Sequence, residues 1–168
     1  MTVPPKYAVP EFERRWLVAN MSSVPGPLGD ARLIEDRYIA GTRLRLRRVT
    51  DAQGGITTKL GKKYPAEAGG FEWIVNVYLD AAEYALLVGL PARRSLKRRY
   101  SMESGSLDVY VQPQADLWIF EAERATEAQI RAYQPPQFVG REITGDPHLT
   151  GFAIASSGSL AALLQRDS

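Results

Sequence analysis

The chain has 168 residues, 45% hydrophobic and 24% charged, which fits one soluble domain, 1–168, and leaves little room for a second core. Its 21 Lys plus Arg against 19 Asp plus Glu leave a net charge of +2, too near neutral for a nucleic-acid or membrane partner read from bulk charge. With no cysteine and a single histidine, His148, disulfides, thiolate chemistry, Cys-containing zinc sites and multi-His metal sites are all excluded. The first residues, including Pro5, Lys6 and Glu11, are expected not to form a signal peptide. The longest apolar stretch, near Tyr84 to Leu90, is too short to cross a bilayer, so a cytoplasmic protein is the default expectation.

In chain order, Glu11 to Val18 alternates with period 2, placing Glu11, Glu13 and Arg15 on one face and Phe12, Trp16 and Val18 on the other, and predicts the first strand. A turn-rich stretch from Ser22 to Gly29 follows. Arg32 to Ala40 and Thr42 to Val49 then read as two strands joined tightly near Gly41. Asp51-Ala52-Gln53-Gly54-Gly55 has turn chemistry, Ile56 to Leu60 begins another strand, and Phe71 to Leu79 is strand-like in its aromatic and β-branched content. Asp80 with Glu83 predicts a capped helix running toward Leu90 and closed by Pro91. Strands resume at Ser95 to Met102, Leu107 to Val111 and Leu117 to Glu123. Thr126 with Gln129 repeats the capping spacing ahead of a helix from Glu127 to about Tyr133, and a last helical segment is expected near Ser159 to Gln165. About eight strands in hairpin order with two or three helices argue for an antiparallel α+β domain.

Several strands carry charges at alternate positions with apolar groups opposite. Arg43, Arg45 and Arg47 lie together, as do Lys97 and Arg99, and Glu121 and Glu123. An amphipathic sheet with its charged face in water accounts for the alternation alone. Like charges two residues apart count against that reading, because same-sign neighbours repel and a solvated sheet tends to mix signs. Bound counter-charges remove the difficulty: divalent cations take carboxylate oxygens, and phosphate oxygens take guanidinium and ammonium groups.

The same residues resemble a known family. Glu11-Phe12-Glu13-Arg14-Arg15 is similar to the ExExK signature that opens CYTH domains, with Arg in the final place. Arg43-Leu44-Arg45 is similar to that family's RxR strand, Lys59 to its following lysine, Lys97-Arg98-Arg99 to its KxR, and Glu121-Ala122-Glu123 to its late ExE. Leu107 to Tyr110 resembles the strand with an inward Asp, and Gly140 to Asp146 the closing segment, all in the family's order over roughly Glu11 to Ala155. The resemblance implies an eight-stranded antiparallel β-barrel, a triphosphate tunnel, with a charged interior and helices packed outside. Ala82, Leu86 and Leu87 would then cover the apolar faces of the strands.

The implied activity is hydrolysis of inorganic triphosphate or an organic triphosphate with Mg²⁺ or Mn²⁺, the implied partner being a small-molecule triphosphate or polyphosphate. Glu11, Glu13, Asp108, Glu121 and Glu123 would be the metal carboxylates. Arg15, Arg43, Arg45, Lys59, Lys97 and Arg99 would grip phosphate, with Lys59 or Lys97 also available as a proton acceptor beside the catalytic Glu11 and Glu13. Arg15 departs from the family's lysine and, since a guanidinium does not release its proton, is assigned to phosphate alone. The closing segment departs too, reading Pro147-His148-Leu149. Glu72 either adds to the acidic set or is a rim carboxylate. Lys62 and Lys63 read as a solvated loop, with an entrance patch for anions as the second reading, His148 as a surface residue, Arg98 as outward, and Trp16, Trp73 and Trp118 as packing residues. An adenylate cyclase using the same tunnel and a non-catalytic polyphosphate-binding module are the alternatives. Neither the oligomeric state nor the preferred substrate is legible.

Overall fold

The computed structural model describes residues 5–19, 21–64 and 71–164. Nine strands form one antiparallel sheet: β1 (Val9–Pro10), β2 (Glu13–Leu17), β3 (Ala31–Ile39), β4 (Leu44–Thr50), β5 (Ile56–Tyr64), β6 (Trp73–Leu79), β7 (Ala92–Met102), β8 (Gly105–Gln112) and β9 (Trp118–Glu123). Their order across the sheet is β1-β6-β5-β4-β3-β7-β8-β9-β2. The helices are α1 (Ala81–Val88), α2 (Glu127–Ala132), α3 (Gly151–Ser156) and α4 (Leu160–Leu164). Gln165, where the last helix was expected to end, lies outside the described residues.

The α+β class and the antiparallel hairpin order agree with the sequence, but the eight-stranded closed barrel is corrected. The sheet has two edges, β1 and β2, and these do not pair with each other. The reason lies in the first expected strand, which changes partner in mid-course. The Glu11 amide donates to the Glu72 carbonyl at 2.8 Å, whereas the Phe12 carbonyl accepts from the Arg124 amide at 3.0 Å. One continuous segment thus borders β6 with its first half and β9 with its second, bringing the two edges together without a ladder between them. The inner face curves round a cavity of about 1410 Å³.

Local chemistry explains the turns and caps. Gly41 takes a φ of +70° at the β3–β4 turn, a conformation that costs a residue without a side chain little. Asp51 Oδ1 accepts from the amides of Gln53 and Gly55 at 3.0 and 2.7 Å, closing the β4–β5 turn. At α1, Asp80 Oδ1 accepts from the Glu83 amide at 2.8 Å and Glu83 Oε2 accepts from the Asp80 amide at 2.9 Å, a reciprocal capping box. Thr126 caps α2 by accepting from the Gln129 amide.

Two apolar clusters hold the sheet on either side of β9. On the outer face Trp16, Leu107, Phe120 and Ala122 pack with Val18, Val24 and Ile130 of α2. On the inner face Tyr110 and Ile119 are covered, with Leu117, by Ile143, Leu149, Ile154 and Leu163 from the C-terminal segment. That segment fills part of the concave side, where the sequence left the closure open. The expected cover from α1 is only partial. It buries no residue fully, Leu86 is 81% exposed and Ala82 is exposed, while Leu87 with Tyr84 and Val88 is half-buried. Among the described residues no helix is long and apolar enough to cross a membrane.

Candidate active site

Strand pairing brings the charged positions onto one face. Tyr38 lies opposite Arg45 and Asp36 opposite Arg47 across β3 and β4, and Arg47 lies opposite Lys59 and Arg45 opposite Gly61 across β4 and β5. On the other limb Arg99 is opposite Asp108, Glu121 opposite Arg15, and Glu123 opposite Glu13. Because side chains alternate in a strand, these residues share the concave side. Among the described residues, ten basic and seven acidic side chains line the cavity, a surplus of positive charge in that lining.

The most buried carboxylates organise the cations. Asp36, 2% exposed, takes a two-pronged ion pair from Arg47, Nε to Oδ1 at 2.6 Å and Nη2 to Oδ2 at 2.8 Å, with Arg45 Nε at 3.6 Å. Burial alone would raise its pKa, but Arg47 and then Arg45 outweigh burial and hold the carboxyl well below the usual range. Asp108, 0% exposed, accepts from Lys97 Nζ and from Arg99 at 2.6 Å on each oxygen. Lys97 also lies 5.5 Å from the centroid of the Tyr110 ring. Glu121 accepts from Arg99 and, at 3.3 Å, from Arg15 Nε. Burial opposes its charge, yet Arg99, Lys97, Arg15 and Arg47 together keep its carboxyl well below the ordinary value.

Glu13 behaves in the opposite way. Burial first, and then the negative charges of Glu121 and Glu11, raise its pKa against the pull of Lys63 and of Arg15, whose Nε is 3.9 Å away. Lys59 is the cationic counterpart. Among the described residues it has no ion-pair partner, and burial followed by the charges of Arg47 and Arg45 lowers its pKa. One acid and one base are thus held in surroundings that disfavour their charges, a pattern that marks functional groups.

Of the expected site residues, Glu11, Glu13, Arg15, Arg45, Lys59, Lys97, Arg99 and Glu121 all line the cavity. Arg43 precedes β4 in the turn and is exposed, so it stands at the rim rather than beside Arg45 on the strand. Glu123 is an exposed rim residue at the end of β9, and Asp108 sits behind Lys97 and Arg99, outside the cavity lining. Glu72 also stands at the opening, its carboxylate 3.0 Å from Lys63.

The structure adds residues that the sequence reading left out. Asp36 and Tyr38 alternate visibly in β3, and Arg47, grouped with Arg43 and Arg45 by its spacing but given no role in the site, lines the cavity beside Arg45. Lys63 is a correction: β5 runs to Tyr64, which puts Lys63 on the same face as Lys59, and its ammonium lies 2.8 Å from Glu11 rather than in a solvated loop. Carrying the period-2 pattern four residues beyond Leu60 would have found it. The C-terminal segment approaches from above, where Arg15 Nη1 donates to the Leu149 carbonyl at 3.0 Å and the Arg15 amide to Thr144 Oγ1 at 3.0 Å. His148 is exposed and outside the lining, as expected.

The donor chemistry on the β2–β9 wall suits a hard divalent cation. Glu11, Glu13, Glu121 and Glu123 offer only oxygen ligands, and the charges of Glu121 and Glu11, which add to burial in raising the Glu13 pKa, are a repulsion that a bound cation would relieve. Among the described residues no three acidic or imidazole groups stand in ligating array.

No protein-family model matches the chain, and no curated protein matches it. Solved structures do. A crystal structure of the inorganic triphosphatase NE1496 aligns with a TM-score of 0.56 and 25% identity, covering 89% of this chain and 96% of that one. A second crystal structure of NE1496 gives a TM-score of 0.55 and 26% identity over 88% and 98% of the two chains. This likeness over nearly the full length agrees with the resemblance of the ordered charge motifs, and of the concave ionic face they build, to the CYTH, or triphosphate tunnel metalloenzyme, family.

Proposed function

We propose that the chain is a divalent-cation-dependent triphosphatase that cleaves the terminal phosphoanhydride of inorganic triphosphate or of an organic triphosphate. The observation that carries this reading is the row of cations from β2, β4, β5 and β7 around one water-accessible cavity, facing carboxylates on β2 and β9. A polyanion satisfies the cations and a cation satisfies the carboxylates. The need is greatest at Lys59, which has no ion-pair partner among the described residues, and at Glu13, whose surroundings disfavour its charge, since an unmatched ion in a partly dehydrated wall costs several kcal/mol.

Arg15, Arg45, Lys97 and Arg99, with Arg43 at the rim, would grip the phosphate oxygens and stabilise charge growing on the leaving diphosphate, the main service a protein performs in phosphoryl transfer. Asp36 and Asp108 fix the angles of these cations by ion pairing. Asp108 would therefore act from behind Lys97 and Arg99, while Glu11, Glu13, Glu121 and Glu123 would be the carboxylates that hold Mg²⁺ or Mn²⁺. When bound, such an ion supplies Lewis-acid polarisation of phosphoryl oxygens and of water.

Water oxygen bonds to the terminal phosphorus, and the bridging P–O bond breaks with its electron pair on the departing diphosphate. Of the two lysines considered for proton removal, Lys59 is the better suited, since among the described residues it has no carboxylate partner and its neighbours favour loss of its proton. Lys97 is committed to the Asp108 ion pair.

The test is to incubate the protein with tripolyphosphate or ATP and Mg²⁺ or Mn²⁺, then measure orthophosphate, pyrophosphate and cyclic AMP. Orthophosphate release is the expected result. Cyclic AMP with pyrophosphate would identify a cyclase instead. Ligand-induced thermal stabilisation with no product would leave a polyphosphate-binding module.

A further inference from the structure

The convex side of the sheet, turned away from the cavity, is covered at its two flanks. Helix α1 packs over β5 and β6, and Val24, Leu28 and Ile130 close the apolar cluster over β8, β9 and β2. Between these flanks Leu33 of β3 and Arg94 and Arg98 of β7 are exposed.

By alternation Leu33, Glu35 and Arg37 of β3, Arg48 of β4, and Arg94 and Arg98 of β7 point outward, away from Asp36, Arg47 and Lys97. Pairing puts Arg37 directly opposite Arg94, Glu35 opposite Arg48 and Leu33 opposite Arg98. Four guanidiniums thus share a strip of about 10 by 14 Å at ordinary strand spacings. Glu35 is the one carboxylate at an outward position of β3, β4, β5 or β7. Its Oε1 serves both Arg94 Nε, at 2.9 Å, and Arg37 Nη1, at 3.7 Å, and among the described residues Arg48 and Arg98 make no ion pair. The nearest carboxylates of α1, Asp80 and Glu83, are engaged with each other's amides in its cap.

Like charges directly opposite one another are unfavourable, and a face that only had to stay in water would mix signs. Nor does the strip reflect a generally basic chain. The whole carries +2, the cavity lining a surplus of three and this strip another three, so the remainder is net acidic.

The composition of the strip indicates its partner. All four cations are Arg, whose paired N–H donors match the two oxygens of a carboxylate. Beside them Leu33, 39% exposed, and Ile56, 57% exposed, flank Thr50 across β3, β4 and β5 and give the strip an apolar margin. A phosphate polymer gains nothing from that margin, whereas a peptide with acidic and apolar side chains uses both. A flat bilayer or a rigid duplex would meet α1 first, a helix about 10 Å thick standing at the side of the strip. Tyr84 of α1 lies near enough that the charges of Glu35, Arg48, Arg37 and Arg94 act on its hydroxyl.

We infer that this strip docks an acidic segment of a partner protein, its carboxylates taking two-pronged contacts from Arg37, Arg48, Arg94 and Arg98 and an apolar side chain resting on Leu33 and Ile56. The dock is separate from the cavity and stands whether or not the chain hydrolyses triphosphates.

The experiment follows, by fluorescence anisotropy at low salt, the binding of a labelled peptide repeating Glu-Glu-Leu to the full chain, beside repeats of Gln-Gln-Leu and Glu-Glu-Ser. The Glu-Glu-Leu repeat should bind the wild type most tightly of the three. Arg94→Gln combined with Arg98→Gln should weaken it about fivefold or more, the size of two exposed ion pairs. Arg32→Gln combined with Arg93→Gln removes the same charge from exposed positions on the opposite face of the same two strands, and should leave affinity within about twofold. Should the first double variant not melt cooperatively, Arg98→Gln alone, which breaks no ion pair, should still weaken binding about twofold or more. No binding to the wild type, equal weakening by both double variants, or a loss confined to the Arg32 and Arg93 pair overturns the dock. So does a Glu-Glu-Ser repeat that binds as tightly as Glu-Glu-Leu. Tighter binding of duplex DNA or of phosphatidylserine vesicles that the Arg94 and Arg98 variant abolishes, or self-association of the wild type that this variant abolishes, would give the strip another occupant and overturn the acidic partner.

Discussion

Glu13→Gln should make the metal-free protein more stable and the metal-bound protein less so. Glu13 lies on β2 opposite Glu123, and burial together with the charges of Glu121 and Glu11 outweighs the attraction of Lys63 and Arg15. Repulsion between like charges on neighbouring strand positions is worth about 0.2–1 kcal/mol per pair. Burial and two such repulsions, less the attraction of Lys63 and the weak 3.9 Å contact with Arg15, leave a net gain of about 1 kcal/mol for the neutral amide. For a chain of this length that is about 2–4 °C in Tm.

The sign is fixed by linkage. A carboxyl whose folded pKa is raised favours folding below its unfolded value, and that contribution is lost as pH rises through the folded value. The advantage of the variant should therefore be absent at strongly acidic pH and grow as pH rises above 4.5, the ordinary value for this group. With Mg²⁺ or Mn²⁺ at about a hundred times its Kd the wild type gains about 2.7 kcal/mol, and the order of stabilities reverses. Thermal melts of both proteins across pH, with and without metal, make the comparison. A metal-free variant less stable than wild type by about 1 kcal/mol or more would show that Lys63 and Arg15 dominate at Glu13 and would refute the reasoning.

Asp108→Asn should be severely destabilising, because it leaves Lys97 and Arg99 facing one another without their fully buried counter-ion; the cost is about 3–5 kcal/mol in denaturant titration, and a loss below about 1 kcal/mol would contradict the assigned role. Asp36→Asn should lose a contribution that is fully present above the ordinary aspartate value of 3.8 and disappears only as pH falls through the depressed folded value. Its stability gap to wild type should thus stay constant from neutral pH down to about 4 and narrow below, as followed by melts in acid. Gly151→Ala should cost about 1–3 kcal/mol by driving a methyl group into the Tyr38 ring and hydroxyl, and an unchanged Tm would mean that this contact is relaxed in solution.

The inner face was readable because side-chain direction in a strand follows directly from position. Glu13 and Arg15, Lys97 and Arg99, and Glu121 and Glu123 needed only the period of 2 to be placed together. The capped helices were readable for an equally local reason, a side-chain acceptor three residues ahead of its amide at Asp80 and Thr126. What escaped depended on partners distant in sequence. The change of partner between Glu11 and Phe12, which leaves the sheet with two edges, is decided by Glu72 and Arg124. Helix α3 begins with Gly151 and Phe152 and has no acidic residue in its first turn; its Thr150 cap, accepting from the Ala153 amide at 3.2 Å, gives a weak signal. The mainly apolar composition of α1 hid which side meets the sheet. Arg43 was misjudged by starting β4 two residues early, and Asp108 shows its burial only once Lys97 and Arg99 are seen in front of it.

The central claim is that the cations and carboxylates of the concave face act together on a triphosphate. It is tested most directly by continuous measurement of orthophosphate released from tripolyphosphate by the wild-type protein, first with Mg²⁺ or Mn²⁺ and then after chelation with EDTA. Release that requires the divalent ion and returns when it is restored is the expected result. No release in the presence of either metal, or release at the same rate after chelation, would contradict the account.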